Sequence, residues 1–133
     1  MPDPDDDIVL VDDDPMIAEF VQRALRETTW RLRTFDDPQA ALEHLDGQTA
    51  GVLIVDTRMP GMDGPELLVR LAERGRRGGR HVFLCSASRV AETDWTRCLP
   101  PHVETIPKEV LLDRHTLVAR LDDSLAPNLE SAA

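Results

Sequence analysis

The stretch DDIVLVDDDPMIAEF, residues 6–20, joins a short apolar run to three consecutive aspartates and a proline. The run at residues 8–11 has the length and the β-branched content of a buried strand. After the aspartates, apolar residues recur at the spacing of one helix face, at Met16, Ile17, Phe20, Val21, Ala24 and Leu25. Asp14 followed by Pro15 is typical of a helix N-cap and a first helical position. The stretch therefore predicts a strand, an acidic turn and an amphipathic helix.

The same alternation continues along the chain. Further strands are predicted at residues 30–35, 52–55, 81–85 and 103–106. Helices are predicted from 38 to about 47, from 64 to about 71 and from about 113 to 125, with a weakly supported one between 88 and 100. This order predicts an α/β protein with a doubly wound, five-stranded parallel sheet and helices on both faces. We expect one domain over residues 7–126, with flexible ends at 1–6 and 127–133.

Composition and charge exclude several classes of protein. The chain has 133 residues, of which 41% are hydrophobic, so it can bury one core. Its net charge of −10 argues against direct contact with nucleic acid. The apolar runs are shorter than the ~18 to 20 residues of a membrane span, and the acidic N-terminus is unlike a secretory signal. We therefore expect a cytoplasmic protein, with Cys85 and Cys98 as reduced core thiols.

Acidic side chains follow two of the predicted strands. Asp12 and Asp13 come directly after the first strand, and Asp56 comes directly after the third. Functional groups of doubly wound sheets gather at the carboxyl ends of the strands, so these carboxylates should meet. They repel one another unless a positive charge lies between them, and Mg²⁺ is a common cytosolic cation with oxygen ligands. An acidic cap in an acidic chain is the alternative explanation for the run, and it is the better one for Asp14.

Two further strands end in groups that suit phosphoryl chemistry. The fourth predicted strand ends in Ser86, which places a hydroxyl group at the same edge of the sheet. Lys108 follows the fifth strand and is the single lysine beside fourteen arginines, out of 15 basic residues in all. A compact ammonium group fits a narrow site with carboxylates and a phosphoryl group better than a planar guanidinium does. An ordinary surface lysine is the alternative.

Four segments together resemble the response regulator receiver domain, the phosphoacceptor domain of two-component signalling. They are VLVDDDP at 9–15, VLIVDTRMPGMDG at 52–64, VFLCSAS at 82–88 and IPKE at 106–109. The resemblance extends over residues 7–126, and it implies a flavodoxin-like sheet with the strand order 2-1-3-4-5.

The resemblance also implies a role for each residue of the site. Asp56 would accept the phosphoryl group, and Lys108 and Ser86 would contact that group. Mg²⁺ would be held by Asp12, Asp13, Asp56 and the backbone carbonyl of Arg58. The domain would promote its own phosphotransfer and autodephosphorylation rather than act on a separate substrate. Its partners would be a sensor histidine kinase or phosphotransfer protein and an unknown downstream protein, with no nucleic acid and no membrane; a homodimer stays open.

The sequence departs from the family pattern at two positions. Thr105 stands where the family usually has an aromatic residue, and Glu109 follows Lys108 where the family usually has a proline. We therefore expect phosphorylation to move residues 86–90 more than Thr105. A receiver-like interaction module that acts without phosphorylation stays an alternative. A phosphohydrolase of the haloacid dehalogenase type is disfavoured, because it needs a second acid where this chain has Arg58.

Overall fold

The computed structural model describes residues 7–86 and 99–125. These residues form one parallel sheet in the order β2-β1-β3-β4-β5. The strands are β1 (Asp7–Val11), β2 (Arg31–Phe35), β3 (Ala50–Asp56), β4 (Gly79–Ser86) and β5 (Val103–Pro107). The fold class and strand order expected from the sequence are therefore confirmed.

Four α-helices and one 3-10 helix connect or follow the strands in the described residues. They are α1 (Pro15–Ala24), α2 (Pro38–Gly47), α3 (Gly64–Glu73), the 3-10 helix (Lys108–Leu112) and α4 (Arg114–Leu125). The helix predicted between 88 and 100 and the thiol of Cys98 fall on residues 87–98, outside the described residues. The two predicted flexible ends also lie outside them.

An aspartate caps each of the first three helices, and a proline follows in the first turn. Asp14, Asp37 and Asp63 accept hydrogen bonds from the backbone N–H groups of Met16, Gln39 and Glu66. Each carboxylate satisfies one of the backbone donors that a helix leaves unpaired at its N-terminus. The cap predicted at Asp14 is therefore present, and this aspartate is engaged with its own helix.

The sheet separates two hydrophobic cores. Side chains of α1 and α4 pack on one face, with Ile8, Leu10 and Ile54 of the sheet. Side chains of α2 and α3 pack on the other face, with Val9, Val11 and Leu53. Every residue of β3 is buried, which explains why its sequence is a continuous apolar run rather than an alternating one.

The strand register brings the predicted functional positions to one edge. Val11 pairs with Val55, so Asp12 and Asp56 follow adjacent positions at the carboxyl ends of β1 and β3. On the other side of β3, Asp56 pairs with Cys85, and Ser86 pairs with Pro107. Because Lys108 follows Pro107 directly, all four strand ends contribute to the same edge of the sheet.

Gly64 allows α3 to begin against the end of β3. A Cβ atom at this position would lie 2.2 Å from the backbone oxygen of Asp56 and 2.8 Å from Leu84 Cδ1. The Gly64 N–H also donates to the backbone oxygen of Thr57 at 3.1 Å. Any larger residue would push the start of α3 away from the phosphoacceptor position predicted at Asp56.

We predict that Gly64→Ala lowers the free energy of unfolding by about 1 to 3 kcal/mol or more, because its methyl group meets backbone atoms that cannot rotate away. Gly47→Ala is the matched control, since a Cβ atom there meets nothing within 4 Å. Gly47 ends α2, so the control should be neutral or stabilising by up to about 1 kcal/mol. Urea unfolding of both variants measures the difference, and equal stabilities would contradict the close approach at Gly64.

Candidate functional site

Three carboxylates meet at the carboxyl edge of the sheet. Asp12, Asp13 and Asp56 each place one oxygen within 4.8 Å of the others. Asp12 is 3% exposed and Asp56 is 6% exposed, whereas Asp13 is open to solvent. Two of these negative charges are therefore held close together with little water to screen their repulsion.

Lys108 is the cation that faces this cluster. Its Nζ lies 3.4 Å from Asp12 Oδ2 and 3.4 Å from Asp56 Oδ2. Burial alone would lower the pKa of Lys108, but the Asp12 and Asp56 carboxylates outweigh burial and raise that pKa above its usual value. The ammonium group is therefore charged at neutral pH. Both distances exceed the ~2.7 to 2.9 Å of a charge-assisted hydrogen bond, so Lys108 attracts both carboxylates without closing on either.

Asp12 is the most buried of the three acids, and only one of its two carboxylate oxygens accepts a hydrogen bond from the described residues. Its Oδ1 accepts a hydrogen bond from the Asp14 N–H at 2.9 Å. Its Oδ2 is buried and has no hydrogen-bond partner within the described part of the chain. Burial, followed by the charge of Asp56, raises the pKa of Asp12 to about 6, although the Asp14 amide and Lys108 act in the opposite direction. This oxygen forms an ion pair with Lys108.

This donor set fits a hard divalent cation. Mg²⁺ binds oxygen ligands, usually one or two carboxylates together with waters. The buried Oδ2 of Asp12, which accepts no hydrogen bond from the described residues, is the kind of atom that such an ion would satisfy. Asp13, being exposed, leaves room for water between its carboxylate and an ion. Asp12, Asp13 and Asp56 therefore suit Mg²⁺, the ion that the sequence resemblance implies.

The loop after Asp56 is held by buried side chains. Met59 and Met62 are 8% and 6% exposed and pack in the core beneath α2 and α3. Between them, Gly61 has a φ of 84°, in the left-handed region that favours glycine. Arg58 lies in this loop with an exposed side chain. Arg58 is the second residue after Asp56, and the role of its carbonyl as a metal ligand stays a prediction.

Ser86 ends β4 and is 7% exposed, at the same edge as the acids. The preceding Cys85 is a buried free thiol, as expected from the sequence. Burial, followed by the charges of Asp56 and Asp12, raises the pKa of Cys85 well above its usual range, so the thiol stays protonated and unreactive. Ser86 is the polar residue at the end of β4, and contact of its hydroxyl with a phosphoryl group stays a prediction.

The two departures from the family pattern lie at the end of β5. Thr105 is exposed on this edge strand. The described residues contain no cis peptide bond, and the chain turns at Lys108 into the 3-10 helix, which leaves Glu109 exposed. This helix buries Val110 and Leu111 and so fixes the base of Lys108.

One residue of the site was not singled out in the sequence. Thr57 is 8% exposed, and both its N–H and its hydroxyl donate to the backbone oxygen of Cys85. The two residues are 28 positions apart, and no spacing in the sequence relates them. Only the register of β3 and β4 makes them neighbours.

The fold is that of a response regulator receiver domain. The sequence profile of the family described as "Response regulator receiver domain" matches residues 8–121. The chain belongs to this family, whose members are receivers in two-component systems and typically bind Mg²⁺ at an acidic pocket.

Known regulators resemble parts of the chain. The probable transcriptional regulatory protein TcrX of Mycobacterium tuberculosis is 33% identical over 85 residues, which are 64% of this chain and 36% of TcrX. The DNA-binding transcriptional regulator NtrC of Escherichia coli is 42% identical over 65 residues, which are 49% of this chain and 14% of NtrC. The matches therefore span about a third or less of these relatives.

A solved structure resembles nearly all of the chain. The signal receiver domain of the putative response regulator NarL from Mycobacterium tuberculosis superposes with a TM-score of 0.69 at 27% identity. The match covers 89% of this chain and 94% of that one.

Among the described residues, no helix is long and apolar enough to cross a membrane.

We predict that Asp12→Asn stabilises the metal-free protein at neutral pH. The pKa of Asp12 is about 6 in the fold against 3.8 for the free side chain, so the folded state binds its proton more tightly. The stability that this group contributes is full below pH 4 and is lost as pH rises through 6. Removing the charge should raise the free energy of unfolding at pH 7 by about 1 to 3 kcal/mol.

Urea unfolding between pH 4 and pH 7, with a chelator present, measures this effect. The stability of Asp12→Asn should depend less on pH than that of the native chain. Asp37→Asn is the control, because it also removes one negative charge while asparagine still caps α2. If Asp12→Asn were less stable than the native chain at pH 7, the carboxylate would be favourably paired after all.

Proposed function

We propose that the chain is a phosphorylation-dependent switch that accepts a phosphoryl group on Asp56. The donor is a sensor histidine kinase or a phosphotransfer protein, and the output is contact with a downstream protein. The main support for the proposal is the position of Lys108, whose Nζ lies 3.4 Å from Asp12 Oδ2 and 3.4 Å from Asp56 Oδ2, at a site where Asp12 Oδ2 is buried and accepts no hydrogen bond from the described residues. An ammonium group near two carboxylates, at the carboxyl ends of the strands, can stabilise the negative charge that develops on a transferred phosphoryl group.

Asp56 has the position of the nucleophile. An oxygen of its carboxylate would attack phosphorus in line, forming an acyl phosphate as the bond from phosphorus to the donor breaks. The electron pair of that bond leaves with the donor group. Lys108 then offsets the negative charge of the phosphoryl oxygens, since its ammonium already lies near Asp56 Oδ2. Ser86, at the end of the neighbouring strand, is the hydroxyl donor to the new phosphoryl group.

The proposed Mg²⁺ ligands are the carboxylates of Asp12, Asp13 and Asp56 and the backbone carbonyl of Arg58. Two observations support this set: the three carboxylates converge, and Asp12 Oδ2 has no hydrogen-bond partner among the described residues. When bound, Mg²⁺ would offset further charge on the transferred phosphoryl group. Asp14 is excluded from the set because its carboxylate caps α1.

The proposed output is a protein contact made by a cytoplasmic domain spanning residues 7–126. The net charge of −10 disfavours direct contact with nucleic acid or with an anionic membrane surface. The DNA binding in the name of NtrC belongs to that protein, of which this chain covers 14%. A homodimer stays open as a further partner.

A receiver-like interaction module that is not phosphorylated is the second candidate. It is favoured by Thr105 and Glu109, which stand where the family usually has an aromatic residue and a proline. The convergence of Lys108 with Asp12 and Asp56 argues against it, because contact with a partner alone does not require a buried pair of carboxylates. A hydrolase using Asp56 is disfavoured, since the exposed Arg58 occupies the position of its second acid.

Intact-protein mass spectrometry after incubation with Mg²⁺ and acetyl phosphate tests the proposal. We expect the native chain to gain one phosphoryl mass, and we expect a chelator to prevent the gain. Asp56→Asn should gain nothing, because the amide is not a nucleophile of comparable strength. Asp37→Asn should behave like the native chain, since it removes a charge outside the cluster.

Binding of a beryllium fluoride complex, which mimics an acyl phosphate, is measured in parallel on the same variants. A native chain that neither gains mass nor binds the mimic would favour the unphosphorylated module. A gain of mass that persists in Asp56→Asn would place the reaction on another residue.

A further inference from the structure

Thr57, the residue after the proposed phosphoacceptor, directs two donors at one carbonyl oxygen. Its N–H donates to the backbone oxygen of Cys85 at 3.0 Å, and its hydroxyl donates to the same oxygen. The first bond continues the ladder between β3 and β4, in which Asp56 pairs with Cys85. The hydroxyl bond is additional, and the sheet does not require it.

The carbonyl that Thr57 binds belongs to the peptide group between Cys85 and Ser86. A peptide group is planar, so the direction of its carbonyl sets the position of the next Cα atom. Fixing the Cys85 oxygen therefore restricts where the Ser86 side chain begins. The backbone oxygen of Thr57 also accepts a hydrogen bond from Gly64 at 3.1 Å. Thr57 thus joins the ends of β3 and β4 to the start of α3.

We propose that Thr57 is a positioning residue for phosphoryl transfer, whose hydroxyl orients the Cys85–Ser86 peptide so that Ser86 can donate to the phosphoryl group. This inference rests on the proposed function of Asp56. A carbonyl oxygen has two lone pairs, and filling both from Thr57 holds its direction more firmly than the N–H bond alone. Ser86 is 7% exposed, so its side chain has little room to move. The orientation of the preceding peptide group therefore strongly affects the position of the Ser86 hydroxyl.

A purely structural role for the hydroxyl makes a different prediction. Buried hydroxyl groups usually find an acceptor, and losing one lowers stability wherever it lies in a protein. In that case Thr57→Val would slow phosphorylation by the same factor whether or not Ser86 is present. A positioning role predicts that the effect of Thr57→Val depends on Ser86, which a double-mutant cycle measures directly.

The experiment compares initial rates of phosphoryl gain from acetyl phosphate with Mg²⁺, followed by intact mass. The variants are Thr57→Val, Ser86→Ala and the double variant. Thr57→Val should slow the reaction about three- to tenfold when Ser86 is present, as expected for loss of one hydrogen bond. It should have almost no effect in the Ser86→Ala background. Thr57→Ser keeps the hydroxyl and should retain a rate close to that of the native chain.

Thr28→Val is the matched control. The Thr28 hydroxyl also donates to a backbone oxygen, that of Leu25 at 2.7 Å, but it lies in the turn after α1. This variant should leave the rate unchanged. Thermal unfolding checks that each variant is folded, and if Thr57→Val is not, Thr57→Ala removes the hydroxyl without adding a methyl group and takes its place in the cycle.

The outcomes separate this inference from the proposed function. Equal slowing by Thr57→Val with and without Ser86 would overturn the positioning role and leave Asp56 as the phosphoacceptor. A rate for Thr57→Val equal to that of the native chain would do the same. A native chain that gains no phosphoryl mass would overturn both proposals.

Discussion

The repulsion between the buried carboxylates of Asp12 and Asp56 is the constraint on which the rest of the site depends. A parallel sheet brings the carboxyl ends of β1 and β3 together, so acids placed there must meet. Burial raises the pKa of Asp12 to about 6, which shows how weakly the fold alone compensates this charge. Because the negative charge at this site is only partly compensated, the site can bind a cation. The same uncompensated charge lowers the stability of the metal-free protein.

Neighbouring elements reduce the uncompensated negative charge of Asp12 and Asp56 without neutralising it. The 3-10 helix after β5 places Lys108 between the two acids, but at 3.4 Å from each it leaves Asp12 Oδ2 without a hydrogen bond from any described residue. Gly64 lets α3 begin directly against the backbone of Asp56. Met59 and Met62, in the loop between Asp56 and Gly64, are buried in the core and so tie this loop to the fold.

The sequence alone predicted the parts of the structure that depend on local pattern. Apolar runs identified the strands, and Asp14 with Pro15 identified the start of α1, because caps and periodicity are properties of neighbouring residues. The position of Lys108 beside Asp12 and Asp56 followed from strand ends and family resemblance. The contact between Thr57 and Cys85 could not be predicted, since it depends on the register between β3 and β4. The lack of a hydrogen bond to Asp12 Oδ2 from the described residues likewise depends on distances that no sequence pattern encodes.

Whether the carboxylate cluster binds a cation is measured directly by the stability of the metal-free protein as Mg²⁺ is added at pH 7. An ion that binds only the folded state raises the free energy of unfolding. Once the site is saturated, this increase is proportional to the logarithm of the ion concentration. We expect such an increase for the native chain and little or none for Asp12→Asn, measured by urea unfolding at constant ionic strength. An equal increase in both proteins would contradict a cation site that depends on Asp12, and no increase in either would contradict a cation site at the cluster.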